Sequence, residues 1–80
     1  MAVKDVAAQR FRELCRERRI KLNELATLAG VTPSTVYSMM DARRRDVSIV
    51  TIKKLCDGLE ITLGTFFSTP EFDALEQEIQ

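Results

Sequence analysis

Apolar side chains recur every three to four residues along most of the chain, beginning with Ala7, Ala8, Phe11, Leu14 and Cys15. That spacing lines one face of a helix over about residues 5 to 19, with Arg10, Arg12, Glu13, Arg16 and Glu17 on the other face. Leu22, Leu25, Ala26 and Ala29 predict a second, short helix. Gly30 follows where a left-handed cap residue is needed, a conformation glycine accepts without a Cβ penalty. Thr32 is placed to cap a third helix and Pro33 to occupy its first turn, where the missing N–H costs nothing. Val36, Met39 and Met40 then face inward. Ser48 opens a fourth helix with Ile49, Ile52, Leu55, Cys56 and Leu59 on one face, ending near Glu60. Thr62 opens a short fifth helix holding Phe66 and Phe67. Ser68-Thr69-Pro70-Glu71 has the form of a capping box and predicts a last helix through EFDALEQEI, with Phe72, Leu75 and Ile79 along one side. Strand alternation appears nowhere. The expected class is therefore all-α: a compact five-helix domain over residues 1–67, followed by an amphipathic acidic helix over residues 68–80.

Charge changes this picture more than composition does. The 80 residues balance 12 Lys and Arg against 12 Asp and Glu. Yet residues 1–54 hold all 12 bases with six of the acids, and residues 55–80 hold the other six acids with no base. Such a division predicts a basic face for an anionic partner and an acidic end held away from it. A single small core is all that a chain of this length supports. No apolar run approaches a membrane span, and the first 21 residues are too charged for a secretory signal, so the expectation is a cytoplasmic protein without membrane contact. The two cysteines, Cys15 and Cys56, lie on apolar stripes and form neither a metal-ligand spacing nor a disulfide framework. There is no His. With no paired carboxylates in apolar surroundings and no glycine-rich phosphate loop, an enzyme is not expected, nor is any cofactor or metal.

The window from Leu22 to Asp41 carries the most specific signal. Its fourth, eighth, tenth, fifteenth and eighteenth residues are Leu25, Ala29, Val31, Val36 and Met39, all apolar, with the small Ala26 fifth and Gly30 ninth. Two helices crossing steeply through a tight turn need that order: apolar residues at the contact, a small one where backbones approach, and Gly at the turn. In this window, and in VSIVTIKKLCDGLEITLGTFF after it, the chain resembles the helix-turn-helix domains of the phage repressor and Cro (XRE-like) family over about residues 5–67. The resemblance implies a prokaryotic or mobile-element regulator, read as a repressor, that binds double-stranded DNA sequence-specifically through its third helix. Carried onto this sequence, the groove-facing positions are Pro33, Ser34, Tyr37 and Ser38, with Thr32 and Thr35 near the sugar-phosphate wall. Arg43, Arg44 and Arg45 lie just beyond, as candidate phosphate contacts.

The chain also departs from the family. Lys21 and Leu22 stand where a small cap residue and a phosphate-touching Gln are common, leaving Lys21 or Asn23 as substitutes. Ala42 and Glu60 replace glycines after the third and fourth helices. Cys15 and Met40 occupy the slots of a familiar Arg–Glu pair, and losing both charges together leaves neither buried alone. The third helix lacks Gln, Asn and Arg, the best bidentate readers of bases, which shifts the expected specificity toward DNA shape and methyl contacts. Binding two half-sites calls for a homodimer, whose expected seam is Phe67, Phe72, Leu75 and Ile79. The weak base-reading set and the acidic tail leave one alternative open: a protein-interaction module with this fold, an antitoxin-like or anti-repressor partner that binds little DNA.

Overall fold

A computed structural model describes residues 2–77. Every regular element among them is helical: α1 (Val3–Arg18), α2 (Leu22–Ala29), α3 (Pro33–Met40), α4 (Ile49–Gly58), α5 (Leu63–Phe67) and α6 (Pro70–Asp73). The apolar stripes meet in one core whose fully enclosed side chains include Phe11, Leu25, Val36, Leu55, Leu59 and Phe66. Every one of the first five helices contributes to it, so the short α2, α3 and α5 are held by packing rather than by their own propensity. Phe11 and Phe66 stack with centroids 4.3 Å apart, tying the first helix to the fifth.

Local chemistry sets the boundaries. Ser48 Oγ accepts from the N–H groups of Val50 (3.0 Å) and Thr51 (3.4 Å), and Thr62 Oγ1 accepts from Thr65 N–H at 3.0 Å, both as the sequence implies. Two other helix starts are capped from inside: the Asp5 carboxylate accepts from Ala2 N–H and the Glu24 carboxylate from Lys21 N–H. Gly30 takes φ 71°, and the N–H groups of Gly30 and Val31 close α2 on Thr27 and Ala26. Glu60 occupies the expected glycine slot with φ 58°, a left-handed conformation that costs a side-chain-bearing residue. Gly58 is required for a different reason. A Cβ there would stand 2.9 Å from Ala29 N and 3.0 Å from Ala29 Cα, so α4 lies against the end of α2 at a distance only Gly permits.

Several expectations need correction. The last helix is one turn, Pro70–Asp73; residues 75–77 are not helical, and Ile79 lies outside the described residues. Thr69 is the residue before that turn, but its hydroxyl makes no cap bond and is buried without a partner. Beyond Phe72, Leu75 is the one large apolar side chain among the described residues, and the acids that favour the start of a helix work against its end. Ile49, assigned to the inward face of α4, is 58% exposed, because the first residue of the helix projects past the core rim. Arg10, assigned to the solvent face, instead reaches across to α5, donating from Nε to Phe66 O (3.1 Å) and from Nη2 to Thr65 O (3.3 Å).

Candidate nucleic-acid interface

α3 is sealed on one side and open on the other. Val36 is fully enclosed and Met39 nearly so, while Met40 is half-buried. Pro33, Ser34, Tyr37 and Ser38 are exposed, Tyr37 by 51%. A helical repeat of 3.6 residues makes this division inevitable once Val36 and Met39 are anchored. The four positions expected to face a groove thus form one surface row.

The start of α3 differs from the expected cap. Thr32 is the capping residue by backbone conformation, but its hydroxyl does not bond the helix N–H groups. It shares hydrogen bonds of 3.0 Å with Ser34 Oγ and with Thr35 Oγ1 instead. Thr35 is half-buried and held by this cluster, which makes it the least available of the predicted wall residues.

Lys21 and Asn23 are both exposed at the start of α2. Lys21 and Tyr37 line one cleft together with Arg12, Cys15, Arg16, Ile20 and Leu22. The structure therefore brings two predicted residues together and adds two exposed cations, Arg12 and Arg16, from the polar face of α1. Their i, i+4 spacing, directly ahead of Lys21, was the available signal. Asn23 lines a separate shallow concavity with Glu24, Thr27 and Leu28.

The three arginines are not equivalent. Arg43 is clipped to Asp41: its Nε donates to Oδ1 at 3.2 Å, its Nη2 to Oδ2 at 3.0 Å, and its backbone N–H to Oδ1 at 2.9 Å. Hydrogen bonds from the Arg43 side chain, then from its backbone, hold the Asp41 carboxyl down at about 2. Arg44 and Arg45 are exposed, and Arg44 N–H donates to Asp41 O at 3.0 Å.

The loop has an unforeseen anchor. Lys4, 2% exposed, extends from α1 and donates from Nζ to Met39 O (3.2 Å) and Asp41 O (2.9 Å), with Asp5 Oδ1 at 3.4 Å. A cation at the carbonyl end of α3 satisfies acceptors that lack an intrahelical partner and opposes the negative end of the helix dipole. It links the first helix to the end of the third, the connection that the apolar Cys15 and Met40 cannot make.

The remaining predicted residues behave differently. Phe66, Phe67 and Phe72 form an aromatic cluster, with Phe67 and Phe72 centroids 4.9 Å apart and Phe66 and Phe72 5.7 Å apart. Phe67 and Phe72 are half-buried against their own core, and Leu75 is half-buried. Cys15 and Cys56 are buried free thiols, and burial pushes both pKa values up. Among the described residues no helix is long and apolar enough to cross a membrane, and no group of three or more His, Cys, Asp or Glu could hold a metal.

Known proteins share this helical fold. No curated protein matches the chain. The crystal structure of the prophage Lp1 protein 11 superposes with a TM-score of 0.83 at 32% sequence identity, covering 94% of this chain and all of that one. The profile of the Cro/C1-type HTH DNA-binding domain matches residues 10–71, from the middle of α1 into α6. With its helix order, its Gly30 turn and that match, the chain belongs to the Cro/C1-type helix-turn-helix DNA-binding domain family.

Proposed function

We propose that the chain is a sequence-specific transcriptional regulator of the repressor type, acting in the cytoplasm by inserting α3 into the major groove of DNA. The observation that carries this reading is the row Pro33, Ser34, Tyr37 and Ser38, exposed on a helix whose opposite side is anchored by Val36 and Met39. Base edges are read by side chains that are free to move toward them on a helix that is not. Around that row stand exposed cations on two sides: Arg12, Arg16 and Lys21 beside Tyr37, and Arg44 and Arg45 past the end of α3. These supply sequence-independent phosphate contacts that fix the register.

The base-facing set is short of strong readers, since α3 holds no Gln, Asn or Arg. Discrimination then rests on single hydrogen bonds from hydroxyls, on contact of Tyr37 and Pro33 with thymine methyls, and on DNA shape. One such helix gives limited affinity, so a homodimer on two half-sites follows. Phe67, Phe72 and Leu75 are its proposed seam, with Ile79 outside the described residues; the rings engage a second copy only with the surface their own cluster leaves free.

A second reading, a protein-interaction module that binds little DNA, is favoured by that same lack of base-reading side chains. Selection of bound duplexes from a random pool separates the two. The DNA reading predicts an enriched site bound about 10³-fold or more tighter than a scrambled duplex at physiological salt. A pool that stays random, with no salt-dependent binding to any duplex, overturns it in favour of the interaction module.

A further inference from the structure

We infer that Asp41 is a built-in competitor for DNA phosphate, occupying the fork of the Arg43 guanidinium in the free protein so that phosphate must displace it. This rests on the DNA-binding reading and concerns which of the loop cations is available to it. A carboxylate and a phosphate each present two oxygens that can accept both N–H groups of a guanidinium fork. Asp41 takes that edge through Nε and Nη2, and it also accepts the Arg43 backbone N–H. The Arg43 side chain nevertheless stands 91% exposed, open to an approaching phosphate.

The carboxylate is held where it is from behind. Lys4 fixes the backbone of Asp41 through its carbonyl, and Arg44 N–H donates to the same oxygen. The clip is thus short in sequence and seated on a buried cation, whereas Arg44 and Arg45 have no such carboxylate among the described residues. A paired Arg43 contributes no net charge to the approach of a duplex and releases no counterion of its own. Exposed ion pairs are weak, so phosphate displaces the carboxylate in only part of the bound population, and the competition costs the protein a factor of a few in affinity.

The test is an Asp41→Asn, Arg43→Gln double-mutant cycle, with Asp46→Asn as a control of equal charge change on the same loop. Asn keeps the acceptor for the Arg43 backbone N–H, so the turn survives the change. Affinity for the selected and scrambled duplexes is measured across a salt series for each protein. Freed from its carboxylate, Arg43 makes its phosphate contact in every complex. Asp41→Asn should bind both duplexes about two- to fivefold tighter, with a salt slope steeper by up to about one. In the Arg43→Gln background Asp41→Asn should leave the slope unchanged, as Asp46→Asn should in the wild type. Weaker binding by Asp41→Asn, or an equal slope change with and without Arg43, overturns the competition while leaving DNA binding intact. Absence of binding by the wild type overturns the DNA reading and the competition together.

Discussion

Replacing Lys4 by Met tests how the end of α3 is held. Met matches the aliphatic stem, so the buried volume is nearly conserved and the change removes the ammonium and its bonds. Met39 O then loses the Nζ donor, and a buried carbonyl without a partner costs about 1–3 kcal/mol. Asp41 O keeps its bond from Arg44 N–H, and Asp5 keeps its bond from Ala2 N–H, so neither is orphaned. Loss of a partly buried cation at a helix C-terminus adds up to about 2 kcal/mol. Relief from desolvating the ammonium offsets part of this sum. A net destabilisation of about 1–2 kcal/mol is therefore expected, which in a domain of this size lowers Tm by roughly 5–15 °C. Thermal unfolding followed by circular dichroism measures it. Amide exchange at Arg44 adds a local readout, since that N–H bonds the carbonyl Lys4 supports and should exchange faster relative to the amides of α4. A Lys4→Met protein as stable as the wild type, with unchanged exchange at Arg44, would refute the anchoring role.

Three further outcomes follow from the packing and the charges. Gly58→Ala drives a Cβ to 2.9 Å from the Ala29 backbone; overpacking of about 1–3 kcal/mol exceeds the roughly 1 kcal/mol that Ala adds to a helix, so denaturant unfolding should show a less stable protein, and equal stability contradicts the close approach. Cys15 and Cys56 are buried with raised pKa values, so a thiol reagent should label them only as fast as the protein opens, and rapid labelling of the native state argues against their burial. The Asp41 carboxyl lies below its ordinary value, so its pairing with Arg43 persists through neutral and mildly acidic pH and is lost as pH falls through about 2; a carboxyl-carbon titration with its midpoint near 3.8, or one that Arg43→Gln does not raise, denies the clip.

What the sequence disclosed and what it concealed divide along a physical line. Features set within one turn of chain were legible: the stripes of α1 to α4, the Ser48 and Thr62 caps, the left-handed Gly30, and the sealed and open sides of α3. Features that depend on distant partners were not. Lys4 reads as solvated charge until Met39 and Asp41, more than thirty residues away, are brought to it. Arg10 reads the same way until α5 presents Phe66 O and Thr65 O. Gly58 carries no local signature, because its requirement is the backbone of α2. The last helix is shorter than its sequence predicts for the converse reason: capping-box residues and an amphipathic spacing are present, but among the described residues after Pro70 only Phe72 finds a place on the core before the acidic run continues. On α3 and the loop after it, the exposure of Ser34, Tyr37 and Ser38 follows from counting, whereas the distinction between a clipped Arg43 and the exposed Arg44 and Arg45 depends on the geometry of the loop.

The central claim is that α3 reads bases while the cations around it hold phosphates, and one salt-series measurement addresses both halves. Binding of Ser34→Ala, Tyr37→Ala, Ser38→Ala, Arg44→Gln and Arg45→Gln to the selected and the scrambled duplex is compared with wild type from low to physiological salt. Each of the first three should lose about 1–3 kcal/mol on the selected duplex only, with non-specific binding nearly unchanged. Each arginine variant should weaken both duplexes alike and reduce the salt slope by about one. If the Ser34, Tyr37 and Ser38 variants bind both duplexes as the wild type does, and the arginine variants leave the slope unchanged, α3 does not lie in a groove.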